Sequence, residues 1–185
     1  MLNRVLVLFF FFTIFPLNLC SEEKKLIINR LINTDNITFD FKQTINGKID
    51  TGTCILVFDN KLSCDYNDSM QKRVLTNGKT LIVQQKRYDK IYFYPVSNSP
   101  YVKILNKNNL IDLIKKSDYQ LNNNIELTHV DKNKNKIIIF FKKNNYELAG
   151  WRVVDRLQNI INFSIDIKSL NDKIDPRIFR IPTNN

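Results

Sequence analysis

Few residues in this 185-residue chain could do covalent or metal chemistry. Its one histidine, His129, sits in the strand-like run ELTHV, with no second imidazole to complete a metal site or a catalytic triad. Asp166 and Asp175 are near in sequence but belong to a strand pattern and a tail turn, so they offer no acid–base pair. No GxSxG, HExxH, CxxC or phosphate-cradling glycine loop occurs. The chain therefore reads as a non-enzyme, with no metal and no cofactor. Cys54 and Cys64 are the exception, because their spacing has a consequence. They flank Phe58-Asp59-Asn60 in TGTCILVFDNKLSCDY. A hairpin turning there pairs Val57 with Lys61 and sets Cys54 opposite Cys64, close enough to bridge. Two buried free thiols are the alternative.

Charge gives less than it promises. The formal net charge is +10, which would ordinarily suggest an anionic partner. Yet Asn, Lys and Ile fill 69 positions, a bias that AT-rich codons would produce. The basic residues are not interleaved with aromatics in any nucleic-acid motif, so no nucleic-acid partner is expected. The lysines of DKNKNK read as a solvated turn, and Trp151 in ELAGWRVVD reads as core.

Residues 1–20 begin with Arg4, continue through an apolar run from Val5 to Phe15, and break at Pro16. That run is too short to span a bilayer but suits a secretory signal. The organisation expected is a signal peptide over 1–20 and a single domain over 21–185. Cys20 after Leu17-Asn18-Leu19 resembles a lipoprotein signal, although Leu19 is bulkier than such signals prefer. An exported, oxidising compartment favours the Cys54–Cys64 bridge.

The elements that must position these residues follow from periodicity. Ser21-Glu22-Glu23 would cap a helix running to about Asn33, its apolar face formed by Leu26, Ile27, Ile28, Leu31 and Ile32. From Ile37 the period becomes two, as in a half-buried strand. Asn46-Gly47 and Asn77-Gly78 turn hairpins, and KIYFY forms a further strand ended by Pro95. Ser99-Pro100 would start a short helix over Tyr101–Leu105, with Asn106–Asn109 separating it from another over Leu110–Lys116. Strands return at Ile125–Val130, Lys136–Lys143, Tyr146–Arg156 and Ile160–Lys168. The fold class is mainly β (α+β): a large antiparallel sheet with few helices. Thr53–Phe58 and Ile137–Phe141 are apolar on both faces, consistent with a two-sided core or with a curved sheet lining a ligand cavity.

Taken together, the segments resemble the periplasmic outer-membrane lipoprotein carrier proteins, the LolA-like family. FDFKQT is similar to the family's early Phe-x-Gln strand, and LTNGKTLIV to its second hairpin. NSPYVKIL resembles its short helical segment, and LAGWRVVDRLQNIINFSI its late strand pair. DPRIFRIP matches its close through Asp175, Phe179 and Pro182. The cysteine pair resembles a variant of alphaproteobacterial members. The resemblance implies an open half-barrel with an N-terminal helix and short lid helices over an apolar cavity. It implies a monomeric periplasmic chaperone taking acylated lipoproteins from an inner-membrane ABC transporter to the outer membrane or its lipoprotein receptor. A lipidated outer-membrane receptor of the same fold, an envelope lipid-sensing regulatory protein and, last, a secreted hydrolase are the alternatives.

Parity over three consecutive strands assigns Phe39, Phe41, Leu56, Phe58, Leu62 and Tyr66 to the cavity wall. Val102, Leu105, Leu110, Leu113 and Ile114 would face it from the lid. Well-studied members carry an arginine in the first hairpin turn that ties lid to sheet; Phe58 aligns with it here, and Cys64 with a cavity tryptophan. The expectation is a lid held by apolar contact alone.

Overall fold

The structure, a computed structural model, describes residues 17–58, 60–95, 102–131, 134–154 and 158–182. Helix α1 (Leu17–Ile32) leads into six strands, β1 (Asn36–Ile45), β2 (Lys48–Val57), β3 (Lys61–Tyr66), β4 (Lys72–Asn77), β5 (Thr80–Gln85) and β6 (Lys90–Pro95). Helices α2 (Val102–Leu105) and α3 (Lys107–Lys116) follow. Five more strands complete the chain: β7 (Asp118–Leu121), β8 (Ile125–Val130), β9 (Lys136–Phe141), β10 (Leu148–Val154) and β11 (Ile160–Leu170). All eleven strands form one antiparallel sheet in the order β6-β5-β4-β3-β2-β1-β11-β10-β9-β8-β7. Chain neighbours pair everywhere except at the centre, where β1 meets β11. The sheet stays open, with β6 and β7 as its edges.

Turn chemistry sets the registers. Asn46 and Gly47 both adopt positive φ (49° and 82°), the backbone a tight two-residue hairpin requires, and Ile45 pairs with Lys48. Val57 pairs with Lys61 and Cys54 with Cys64, as the hairpin reading expects, and the two cysteines are disulfide-bonded. Asn77 Oδ1 accepts from the amides of Lys79 and Thr80 and shapes the next turn.

Three boundaries differ from the sequence reading. Helix α1 begins by Leu17, so Ser21 lies within the helix rather than capping it. No glycine or proline separates 17 from 21, and continued helix hydrogen bonding outweighs a cap of about 1 kcal/mol. The expected processing point after residue 20 therefore falls inside α1. The break between α2 and α3 is Asn106 alone, not 106–109: its side chain accepts from the Asn109 amide and starts α3 at Lys107. Strand β7 was not expected, because DYQL has no apolar alternation; pairing with β8 creates it. The proposed start at Ser99-Pro100 and Tyr101 lies outside the described residues.

The main core lies between one face of the sheet and the helices. Ile27 and Leu31 of α1, with Ile104, Leu105, Leu110, Leu113 and Ile114 of α2 and α3, pack on alternate residues of the strands. Leu26 and Ile32 of α1 stay exposed, so its buried stripe is narrower than the sequence suggests. The opposite face carries a smaller apolar patch. Leu75 and Ile82 are buried there, where the C-terminal turn Pro176–Phe179 crosses β3 and β4 and Arg73 donates to the Ile178 carbonyl. Asp175 caps that turn and Phe179 is buried, so the DPRIFRIP segment acts as a clasp on the outer face.

Candidate functional site

The helix-bearing face presents a floor of apolar side chains whose order follows from strand register. Phe39 pairs with Cys54, and Cys54 with Cys64, so all three share that face. Ile37, Leu56 and Leu62 form the next row by the same pairing, and Phe41, Gly52 and Tyr66 the row on the other side. An aromatic line crosses the centre of the sheet. Phe41 stacks on Phe163 with ring centres 4.9 Å apart, and Phe163 on Trp151 at 4.4 Å. Tyr66 meets Phe41 edge-on at 4.8 Å. Gly52 makes that last contact possible. A Cβ at Gly52 would lie 2.8 Å from Phe41 Cε1 and 2.1 Å from the Asp65 carbonyl oxygen. The line ends in polar tips: Tyr66 donates to Gln43 Oε1 at 3.1 Å, whereas Trp151 Nε1 is buried without a hydrogen-bond partner among the described residues.

The residues assigned to the cavity wall from parity are brought together here. Phe39, Phe41, Leu56 and Phe58 are buried, and Leu62 and Tyr66 pack partly buried against the same cluster. Leu105, Leu110, Leu113 and Ile114 close over them from the helices; the side chain of Val102 lies outside the described residues. Sheet and helices meet in direct contact, so the floor is covered by the protein's own side chains. Two pockets of about 300 Å³ flank the helices. One is lined by Asp35, Val57, Phe58, Asn106, Lys107 and Asn108, the other by α3 and His129.

Closure does not rest on apolar contact alone, and here the sequence expectation is corrected. The Lys107 amide donates to the Phe58 carbonyl at 3.4 Å, and the Phe58 amide to the Asp35 carbonyl at 3.1 Å. Lys107 Nζ reaches Asp35 Oδ1 at 3.3 Å and the Ile32 carbonyl at 3.2 Å, and lies 5.7 Å from the centre of the Phe58 ring. The helix therefore supplies a cation beside the first hairpin turn, where the resemblance led to the expectation of a tie by apolar contact alone. At the other end of α3, Lys24 Nζ bonds the Ser117 carbonyl at 2.6 Å, a cation at a helix C-terminus. Tyr119 of β7 also bonds Glu23 of α1. Burial, and then that carboxylate, push the Tyr119 hydroxyl far above its ordinary ionisation range. Nothing in the sequence marks Lys107, because it falls in the 106–109 segment, which reads as a break between helices.

The arrangement is an apolar floor under a helical roof. Five side chains of α2 and α3 are almost wholly buried, together worth on the order of 10 kcal/mol. The polar ties add roughly 0.5–1.5 kcal/mol each. An apolar ligand able to replace the helices on the floor would recover the larger part of that cost, while the ties would decide where the roof stays hinged.

Residues 33–182 match the family model described as outer membrane lipoprotein carrier protein LolA. No curated protein matches the chain in sequence. Solved structures share the fold at low identity. An uncharacterized conserved protein from Thermus thermophilus superposes with a TM-score of 0.54 at 6% identity, covering 89% of this chain and 95% of that one. The lipoprotein LppX of Mycobacterium tuberculosis gives 0.52 at 12% identity, covering 85% and 97%. MucB in the Pseudomonas aeruginosa MucA/MucB complex gives 0.50 at 10% identity, covering 88% of this chain and 61% of that one. Among the described residues no helix is long and apolar enough to cross a membrane.

Proposed function

We propose that this chain, which belongs to the outer membrane lipoprotein carrier protein LolA family, shields the acyl chains of lipoproteins in transit through the periplasm. It would receive them from an inner-membrane ABC transporter and deliver them to the outer membrane or a lipoprotein receptor there. The observation that carries the reading is the aromatic and aliphatic floor on one face of an open sheet, roofed by helices of which α3 is tied by polar contacts at its two ends. Each methylene withdrawn from water contributes about 0.8 kcal/mol, so one acyl chain of about fifteen methylenes offers about 12 kcal/mol. That is comparable to the apolar contact the helices would surrender. One chain is then near balance with the roof and the three chains of a triacylated cargo exceed it, so loading is favourable and release needs an acceptor that takes the chains.

Trp151 is the chain's one tryptophan, stacked on Phe163 in the floor, and it supplies the test. Titration with a triacylated lipopeptide should change its emission saturably, and native mass spectrometry should find one lipopeptide per protein. The same peptide without acyl chains should do neither. No spectral change and no adduct with the acylated peptide would refute the reading. A lipidated receptor would instead carry a diacylglyceryl group on Cys20, visible in the mass of the protein's N-terminal peptide.

A further inference from the structure

Strand β6 is an edge of the sheet, and it carries aromatic side chains on both flanks. Register places Tyr92 opposite Val83 and Tyr94 opposite Leu81, on the helix-bearing side, and Phe93 opposite Ile82 on the outer side. Tyr92, Phe93 and Tyr94 are 40%, 52% and 48% exposed, and Tyr88 in the preceding turn is 53% exposed. Four large aromatics at one rim form a ridge, whereas scattered single exposures would need no explanation. Bases bracket the ridge. Lys79 lies beyond the Pro95 end, and Lys86, Arg87 and Lys90 beyond the other, all exposed. Of the six Lys and Arg between Lys72 and Pro95, Lys72 pairs with Asp50 and Asp68, and Arg73 and Lys86 with Asp65, so the excess at the ridge rests on Lys79, Arg87 and Lys90 against Asp89.

From this ridge we infer that β6 docks on the surface of an anionic lipid bilayer. Four features select that partner. The backbone edge is blunted for pairing, because Lys90 starts the strand and Pro95 ends it without an amide. An extended peptide or the β6 of a second copy would need that edge, and a second copy would also meet the same bases. A folded partner would cover one flank, whereas the aromatics project from both sides of a single strand, as a wedge does. Tyrosine joins an apolar ring to a polar tip, the chemistry enriched at membrane–water boundaries. Lysine and arginine beside it match a negative surface. The inference does not depend on the carrier reading, since the bare surface would bind without cargo.

Hydrogen exchange across β5 and β6 tests it, with the full-length protein mixed with vesicles of phosphatidylcholine alone or with phosphatidylglycerol added. A local readout is needed because the apolar N-terminal run could itself touch lipid. The β6 amides should be protected about tenfold more on the anionic vesicles, and salt should weaken the effect. Phe93→Ser/Tyr94→Ser should abolish this protection. Lys79→Glu/Lys90→Glu, which leaves the apolar residues intact should the first variant fold poorly, should remove the preference for anionic lipid. Equal protection on neutral vesicles, or protection unaltered in both variants, would overturn the inference. So would β6 protection that rises with protein concentration in the absence of lipid, which would identify a second copy as the partner.

Discussion

Replacing Lys107 with alanine should loosen the roof without unfolding the sheet. Its ammonium lies 3.3 Å from Asp35 Oδ1, but that carboxylate is 82% exposed, so water and salt leave the ion pair roughly 0.2–0.5 kcal/mol. The 3.2 Å bond to the Ile32 carbonyl is charge-assisted and adds about 1 kcal/mol after allowance for its partial exposure. The backbone bond from the Lys107 amide to the Phe58 carbonyl survives the change. The loss is therefore about 1–1.5 kcal/mol, or about a five- to tenfold rise in the open fraction. Native-state hydrogen exchange of α3 should speed up by that factor while β2 and β3 hold their rates. Added salt should move the wild type only part of the way toward the variant, because the bond to Ile32 is not an ion pair. Phe58→Ala makes the contrast: it empties a site only 3% exposed, at about 3–5 kcal/mol, so it should lower Tm as well as open α3. If α3 of Lys107→Ala exchanges as in the wild type, or exchange rises equally across the sheet, Lys107 is not a latch.

Three further outcomes are expected. Replacing both Cys54 and Cys64 with alanine should cost about 1–3 kcal/mol in denaturant unfolding while far-UV circular dichroism stays unchanged, since the bridge closes a loop of sequence separation 10 within an already paired hairpin. Gly52→Ala should destabilise the protein by more than about 3 kcal/mol or prevent folding, because its Cβ meets backbone at 2.1 Å; at Gly47 nothing lies within 4 Å, and Gly47→Ala should cost only the strain of its positive φ, about 1–2 kcal/mol in thermal melts. Tyr119 keeps its proton in the folded state at pH values where the unfolded chain, near pH 10, has lost it. Its contribution is thus complete below about pH 10 and is lost as pH rises further, so Tm should fall above pH 10, and less so in Tyr119→Phe.

Local chemistry made much of this molecule legible. Asn46-Gly47 and the ten-residue spacing of the cysteines set hairpin registers, because a two-residue turn and a side-chain period of two leave few alternatives. Parity then grouped Phe39, Phe41, Leu56 and Leu62 on one face before any tertiary contact was considered. The tertiary structure decided what no period encodes. Pairing of β1 with β11 brings together residues more than a hundred positions apart, and only that pairing lines Phe41 up with Phe163 and Trp151. DYQL becomes a strand because β8 offers it an edge. The DPRIFRIP tail clasps the outer face where Leu75 and Ile82 are buried. The tie missing at Phe58 is replaced from α3, since Lys107 finds Asp35 and the Ile32 carbonyl only once helix and sheet have met. Periodicity fixes which way a side chain points along its own strand or helix; what it meets depends on where distant segments come to rest, and that is settled by burial over the whole chain.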